Sequence, residues 1–336
     1  MIYRLVLSLR HLAYDKGWKK SEAPEIPSVS VGNVTVGGTG KTPMTELILQ
    51  RLLGSDAWGY RNIAVLSRGY GRKSKGYQKV DPEGNPSMYG DEPLQIARKF
   101  LSVTVAVDKD RLHGCSQLAA DGADVVVLDD AFQYRALKPS LSIVLVDFNR
   151  PVFHDRLLPW GRLRNLPSRL LKADVVVVTK CPAFLTEHEM EQWRKKLKLT
   201  GQKLFFTTVS YCQPEPVFPE GDRRYTYAHG TILVSGIAKD GPLADYLSDT
   251  YRIIRKLSFP DHHPYGKADI RSIMACVKAA PTACVMTTEK DAQRLREAKN
   301  VPSELRSRLF YLPIRAEFLT PEMDADFTET LLDSIK

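Results

Sequence analysis

The chain has 336 residues, 43% hydrophobic and 26% charged, which is ordinary globular usage. It excludes a disordered, fibrous or small disulfide-stapled protein and, at roughly 100 to 200 residues per domain, predicts two domains. The 48 lysines and arginines against 39 acids give a net charge of +9, which favours anionic partners: nucleotides, nucleic acid or acidic lipid surfaces.

The first segment reads as a basic amphipathic helix. Ile2, Leu5, Val6, Leu9, Leu12 and Ala13 share one face, Arg4, Ser8, His11 and Asp15 the other, and Lys16, Lys19 and Lys20 follow. Arg4, Arg10 and His11 interrupt it too often for a secretory leader. Such a helix either packs on the protein's own core or lies in a membrane interface, and periodicity does not separate the two. No apolar run approaches the roughly 20 residues needed to span a bilayer.

Short apolar runs then alternate with helical patterns. Strands are predicted at 28–31, 63–66, 103–107, 125–128, 143–146 and 175–178, an order that implies an α/β fold with a mostly parallel sheet. A smaller series follows, with strands at 232–235, 252–257 and 284–287 and helices at 241–247 and 268–278, and reads as a second α/β domain. Segments 203–210 and 309–314 are expected to form a two-stranded ribbon between the domains. The predicted boundaries are a core domain at 1–205, to which 315–336 returns, and a smaller domain at 206–314. The stretch 72–89, rich in glycine, proline, serine and lysine, is expected to be a surface loop. Five cysteines without a CxxC spacing indicate neither a disulfide framework nor a zinc site, so a reducing cytoplasm is the expected compartment.

The strongest chemical signal runs from Gly32 through Asn33, Val34, Thr35, Val36, Gly37, Gly38, Thr39 and Gly40 to Lys41 and Thr42, between a predicted strand and a predicted helix at 44–53. Glycines there let backbone N–H groups converge on phosphate oxygens, Lys41 can reach the β and γ phosphates, and Thr42 can hold Mg²⁺. Thr35 stands where the strict GxxxxGK[ST] pattern wants its first glycine, and Gly32, Gly37 and Gly38 are expected to supply the flexibility. Asp129 and Asp130 follow a predicted buried strand, where open α/β sheets bind ligands, and one of them can serve as the Mg²⁺ acid. Gly90-Asp91-Glu92-Pro93 and Asp261-His262-His263-Pro264 bring in further carboxylates and imidazoles. Taken by itself the first is better explained by capping, but a hydroxyl acceptor needs a positioned proton acceptor, and Asp91 oriented by a histidine meets that need. Arg68 and Arg72 flank Tyr70, and Arg111, Arg162 and Arg164 lie near these loops; singly each reads equally as a solvated charge, and a phosphorylated substrate would explain several of them together. No RNP, KH or helix-turn-helix pattern supports nucleic acid as a partner.

Together these motifs, with Leu66-Ser67-Arg68-Gly69-Tyr70-Gly71, Phe132-Gln133, Leu158-Pro159 through Arg164, and Glu289-Lys290-Asp291-Ala292, make the chain closely resemble the tetraacyldisaccharide 4′-kinases, the lipid A 4′-kinases of Gram-negative bacteria. The resemblance extends over nearly the whole chain. It implies a P-loop NTPase-like core joined by a ribbon to a smaller α/β domain. It also implies transfer of the ATP γ-phosphoryl group to the 4′-hydroxyl of a lipid disaccharide 1-phosphate. The expected setting is the cytoplasmic face of the inner membrane, with the enzyme peripheral and monomeric. Carried over by residue, Asp91 is the expected general base, His262 its orienting partner and Lys41 a catalytic cation. Thr35 through Thr42 are expected at the nucleotide, Thr42, Glu92, Asp129 and Asp130 around Mg²⁺, and Asn33, Arg68, Tyr70, Arg111, Gln133 and Arg164 at the disaccharide. Two departures stand out: Ala131 and Tyr134 replace the usual glycine and histidine of the DDGFQH element. If Asp91 and His262 come from different domains, catalysis requires the domains to close. Competing readings are a P-loop kinase or GTPase with a soluble substrate, and a non-catalytic nucleotide-driven switch.

Overall fold

The computed structural model describes residues 2–59 and 61–336; residue 1, where the predicted first domain begins, lies outside them. The chain divides into two compact units. One comprises Met1–Gly84, Ile96–Ser210 and Arg315–Lys336, and the other Asn85–Gln95 and Tyr211–Ile314.

In chain order the elements begin with α1 (Ile2–Asp15), β1 (Ser28–Asn33), α2 (Lys41–Leu53), β2 (Ile63–Ser67) and β3 (Gln78–Lys79). Next come α3 (Pro86–Tyr89), α4 (Asp91–Lys99), β4 (Thr104–Val107), α5 (Arg111–Ala120) and β5 (Val125–Asp129). They are followed by β6 (Leu141–Asp147), β7 (Val175–Thr179), α6 (Glu187–Leu197) and β8 (Lys203–Tyr211). The last group is β9 (Glu215–Pro216), β10 (Gly230–Ser235), α7 (Gly241–Thr250), β11 (Arg252–Ser258), α8 (Lys267–Ala279), β12 (Cys284–Thr288), α9 (Glu289–Arg296), α10 (Ser303–Arg306), β13 (Leu309–Leu312), β14 (Ile314–Phe318) and α11 (Pro321–Asp333).

The first unit is built on a nine-stranded sheet in the order β14-β8-β7-β6-β1-β5-β2-β4-β3. The pairs from β8 through β4 are parallel, and the short β3 closes one edge antiparallel to β4. Strands β5 and β7 are buried at every residue. Their unbroken valine runs therefore mark a sheet covered on both faces, where alternation would be lost. Because β1 lies between β5 and β6, the loop after β1 and the turn after β5 emerge side by side at the carboxyl ends of the strands, where such sheets hold ligands.

The second unit carries a five-stranded sheet in the order β11-β10-β12-β13-β9, parallel except for β9. Ile232, Val234, Ile273, Val277, Val285, Leu295 and Leu309 fill one of its cores.

Three expectations change. Segment 309–312 is an interior strand of the small sheet rather than half of a ribbon, because Leu309 and Phe310 are fully buried there. It is Ile314–Phe318 that lies beside β8, and the Leu319 N–H donates to the Phe206 carbonyl at 3.1 Å. Residues 85–95 group with the second unit, so Asp91 belongs to the same unit as His262. The stretch 72–89 contains β3 and the turn of helix α3, whose cap is Asn85.

The carboxyl-terminal return to the first unit is a packing event. Phe327 of α11 is fully buried against Phe205 and Phe318, with ring centroids 5.4 and 4.8 Å away. We predict that Phe327→Ala destabilises the protein by roughly 3–5 kcal/mol in denaturant unfolding, the usual cost of emptying an aromatic site. A loss below about 1 kcal/mol would show that the site collapses freely and that α11 is no part of the cooperative core.

Candidate active site

Strand β1 delivers the chain into the glycine-rich loop, and the glycines there do different jobs. Gly32 is still in the strand, where an added Cβ would meet the Phe132 Cβ at 2.5 Å. Its absent side chain thus serves close packing, not loop flexibility. The left-handed positions are Gly37 (φ 101°) and Gly40 (φ 84°), and Gly40 caps α2, whose first residues are Lys41 and Thr42. The free N–H groups of this first turn and the helix dipole favour a bound anion.

The loop is anchored on both sides. Asn33 Nδ2 donates to Thr39 Oγ1 at 2.6 Å, and Thr179 Oγ1, at the end of β7, donates to the Thr39 carbonyl at 2.9 Å. Lys180 donates to the Gly38 carbonyl and pairs with Asp147 at 2.8 Å. Opposite, the Val36 N–H donates to Arg162 O at 2.8 Å, while the N–H groups of Arg164 and Asn165 donate to Val34 O. Thr35 bridges to Leu163 in the same ladder. The Val36 amide is therefore spent on a strap of residues 157–165 in this conformation.

The acidic pair follows β5. Asp129 is buried and accepts from Ser67 Oγ at 3.1 Å. Asp130 takes a left-handed backbone (φ 48°), lies 4.0 Å from Lys41 Nζ and receives the Arg164 guanidinium. Burial pushes the Asp130 carboxyl up, but Lys41, Arg164 and Arg111 outweigh it and hold it below the usual carboxylate range. Arg164 also donates twice to Asn33 Oδ1, at 2.6 and 3.1 Å, and Gln133 donates to the Asn33 carbonyl. Asn33, Lys41, Asp130, Gln133 and Arg164 thus meet in one cluster. Arg111 differs: only 2% exposed, it donates to the carbonyls of Asp108 and Asp129 and supplies positive charge from behind the acids. Arg68 and Tyr70 sit exposed on the loop after β2.

The two departures from the family element are accommodated locally. Ala131 is buried and its N–H donates to Val31 O at 3.2 Å. The Tyr134 hydroxyl donates to Asp110 Oδ1 at 2.9 Å, bracing the residue that caps α5.

A second constellation lies within the other unit. Asp91 opens α4, and its Oδ2 accepts from Arg294 Nε and Nη2 at 2.9 and 2.7 Å, with His262 Nδ1 at 3.3 Å. His262 holds a left-handed backbone (φ 60°), an uncommon conformation for a non-glycine residue and one that marks a constrained site. Burial pushes Asp91 up, but the hydrogen bonds from His262 and Arg294 and their charges prevail and keep it below the usual range. The hydrogen bond to Asp91 conversely raises His262 above 6.5, against burial. His263 has a separate role: its Nε2 lies 3.0 Å from Asp269 and its ring stacks on Phe259. Glu92, expected beside the metal, belongs to this unit and is paired with Lys290. Sequence reasoning assigned no role to Lys290 or Arg294, although their i,i+4 spacing on α9 places two cations on one helix face. Among the described residues no three His, Cys, Asp or Glu side chains form a metal-holding group.

Helix α1 presents its apolar face outward. Ile2, Leu5, Val6 and Leu9 are all more than half exposed, and Leu7 and His11 face inward instead. The helix is tied down by polar contacts: Tyr3 OH donates to Arg164 O at 3.0 Å, and His11 Nε2 lies 2.7 Å from Asn165 Oδ1. Trp160, in the strap, is 80% exposed. No described helix is long and apolar enough to cross a membrane.

The model of the tetraacyldisaccharide-1-phosphate 4′-kinase (LpxK) family matches residues 1–336. The chain belongs to this family. The tetraacyldisaccharide 4′-kinase of Phocaeicola vulgatus is 39% identical, covering 100% of this chain and 93% of the relative. That of Flavobacterium johnsoniae is also 39% identical, covering 97% and 93%. A crystal structure of LpxK from Aquifex aeolicus in complex with ATP superposes with a TM-score of 0.75 at 26% identity, over 100% of this chain and 96% of that one. As an LpxK family member the chain is a kinase, an ATP-binding phosphotransferase of lipid A biosynthesis.

In this LpxK family member the coupling of His262 to Asp91 can be read directly. We predict that NMR titration places the His262 imidazole above 6.5 and that Asp91→Asn lowers it, because the imidazolium loses an anionic acceptor. An unchanged titration in the variant would show that the pair does not form in solution.

Proposed function

We propose that the chain transfers the γ-phosphoryl group of ATP to the 4′-hydroxyl of a tetraacyldisaccharide 1-phosphate, with Asp91 as general base, at the cytoplasmic face of the inner membrane. The observation that carries this reading is the half-buried Asp91 carboxylate, bonded to His262 and Arg294, in a chain that also holds Lys41 at the first turn of the helix after the glycine-rich loop.

ATP is bound by the later part of the loop and by Lys41, whose charge offsets that of the β and γ phosphates. The acceptor hydroxyl donates its proton to Asp91 as its oxygen bonds to the γ-phosphorus; the bond from that phosphorus to the β,γ-bridging oxygen breaks, and its electron pair leaves with ADP. His262 orients Asp91 and stabilises its ionised form. The Thr42 hydroxyl and the Asp129 carboxylate, both buried beside the loop and β5, are hard oxygen donors that suit Mg²⁺, whose contribution when bound is to neutralise phosphate charge. Asp130, committed to Lys41 and Arg164, acts instead by holding those cations in place. Arg164, with Asn33, Gln133 and the exposed Arg68 and Tyr70, supplies groups for the disaccharide and its 1-phosphate.

The uncovered apolar face of α1 and the lysines that follow it support an interfacial seat, where the acyl chains of the acceptor are found. Replacing Leu5 and Leu9 together by serine should lower binding to phosphatidylglycerol-containing vesicles by about tenfold or more, given the transfer energy of two leucine side chains. Both are exposed, so ATP binding should persist; equal loss of both activities would mean that the helix is only structural.

The direct test is transfer of labelled γ-phosphate from ATP to a tetraacyldisaccharide 1-phosphate in detergent with Mg²⁺. Asp91→Ala should reduce labelling by roughly 100-fold or more with nucleotide binding retained, the usual share of a general base. A folded, ATP-binding wild type that leaves the lipid unlabelled would make a soluble acceptor the better reading.

A further inference from the structure

The Glu289-Lys290-Asp291-Ala292 motif has no part in the mechanism above, yet it opens the helix that grips both acids of Gly90-Asp91-Glu92-Pro93. Lys290 pairs with Glu92 and Arg294, one turn on, with Asp91. All of these residues belong to the second unit.

Arg294 is 8% exposed and every arm of its fork is used. Nε and Nη2 donate to Asp91 Oδ2, Nη1 donates to Gly236 O at 3.2 Å and to Asp291 Oδ1 at 3.1 Å, and Nη2 lies 3.2 Å from His262 Nδ1. Asp291 is fully buried and is itself held by the Gly236 N–H at 3.0 Å and Thr288 Oγ1 at 2.7 Å. The guanidinium therefore sits in a rigid frame. Among the described residues, every hydrogen bond to the Asp91 carboxylate arrives at Oδ2.

We propose that Arg294 is a positioning residue for the phosphoryl transfer. It pins Asp91 through Oδ2, in concert with His262, so that Oδ1 is the oxygen presented to the acceptor hydroxyl. This inference rests on the reading of Asp91 as general base. A cation beside a base weakens it, and the loose character of phosphoryl transfer makes that tolerable: the proton moves late, and alignment of the hydroxyl matters more than basicity. A planar fork suits the task because it fixes direction, which a single ammonium does less well.

The test measures kcat and KM for the lipid kinase reaction, with ATP binding followed separately, in Arg294→Gln, Arg294→Lys, Arg294→Ala, Asp91→Asn and the Arg294→Gln/Asp91→Asn pair. Arg294→Gln should lower kcat by roughly 10- to 100-fold, the scale of a small misplacement, with KM for ATP within about twofold of wild type. Arg294→Lys should fall between Arg294→Gln and wild type, and guanidinium salts at millimolar concentration should restore part of the Arg294→Ala rate. The double variant should be no slower than Asp91→Asn alone, because Arg294 acts through Asp91. Wild-type kcat in Arg294→Gln, parallel loss of ATP affinity, a lysine variant no faster than Arg294→Gln, or additive losses in the double variant would each overturn the proposal. Should Arg294→Gln fail to fold, the lysine variant and the guanidinium rescue decide. Full activity in Asp91→Asn would instead overturn the general-base reading itself, a result separate from failure of the arginine.

Discussion

The geometry of the first unit depends on one guanidinium. Arg164 bonds at once to Asn33, at the end of β1, and to Asp130, in the turn after β5, while its backbone N–H closes the strap onto Val34. Three stretches far apart in sequence are thereby held in one register. A planar fork satisfies both acceptors from a single position, a geometry that an ammonium group does not reproduce. The strap carries α1 as well, through Tyr3 on the Arg164 carbonyl and His11 on Asn165. The direction in which the apolar face of α1 points therefore follows from the same small set of polar contacts.

Charge explains why the cluster needs such bracing. Lys41, Arg164, Arg111 and Lys180 gather around the loop and would repel one another without Asp129, Asp130 and Asp147 between them. Two of these acids are each shared by two cations: Asp130 by Lys41 and Arg164, Asp147 by Lys180 and Arg150. The cluster is thus a cross-linked lattice of charges in which each shared acid fixes two cations, and charge fixed in advance is the form of preorganisation that phosphoryl transfer rewards. The second unit repeats the logic on a smaller scale, with Asp91, Arg294 and Asp291 alternating in sign.

Much of this was legible before any coordinates. The valine runs announced buried parallel strands because only a doubly covered sheet tolerates them, and the loop from Gly37 to Thr42 was readable because its chemistry resides in contiguous residues. Other parts were not. Gly32 looked like a loop glycine, and only the approach of Phe132, 100 positions later, shows that it is a packing glycine. Nothing local announces that the Val36 amide, in the middle of the loop, bonds to the strap at Arg162. Of two adjacent histidines, nothing local says that His262 turns to Asp91 and His263 to Asp269, since the choice is made by a left-handed backbone at one of them.

The sequence by itself therefore determined the family, the α/β class and the position of the glycine-rich loop between strand and helix, because each is written in short contiguous motifs or in a strand's own hydrophobicity. The tertiary structure alone decided which acid meets which cation, that Arg111 stands behind the acids while Arg164 stands between Asn33 and Asp130, that Arg294 joins His262 on Asp91, and that the apolar face of α1 is left uncovered. These are pairings between residues up to 203 positions apart, such as Asp91 with Arg294. Long-range pairings of this kind are set by how strands order themselves in a sheet and by where buried charges find partners, and neither is encoded in any local stretch of chain.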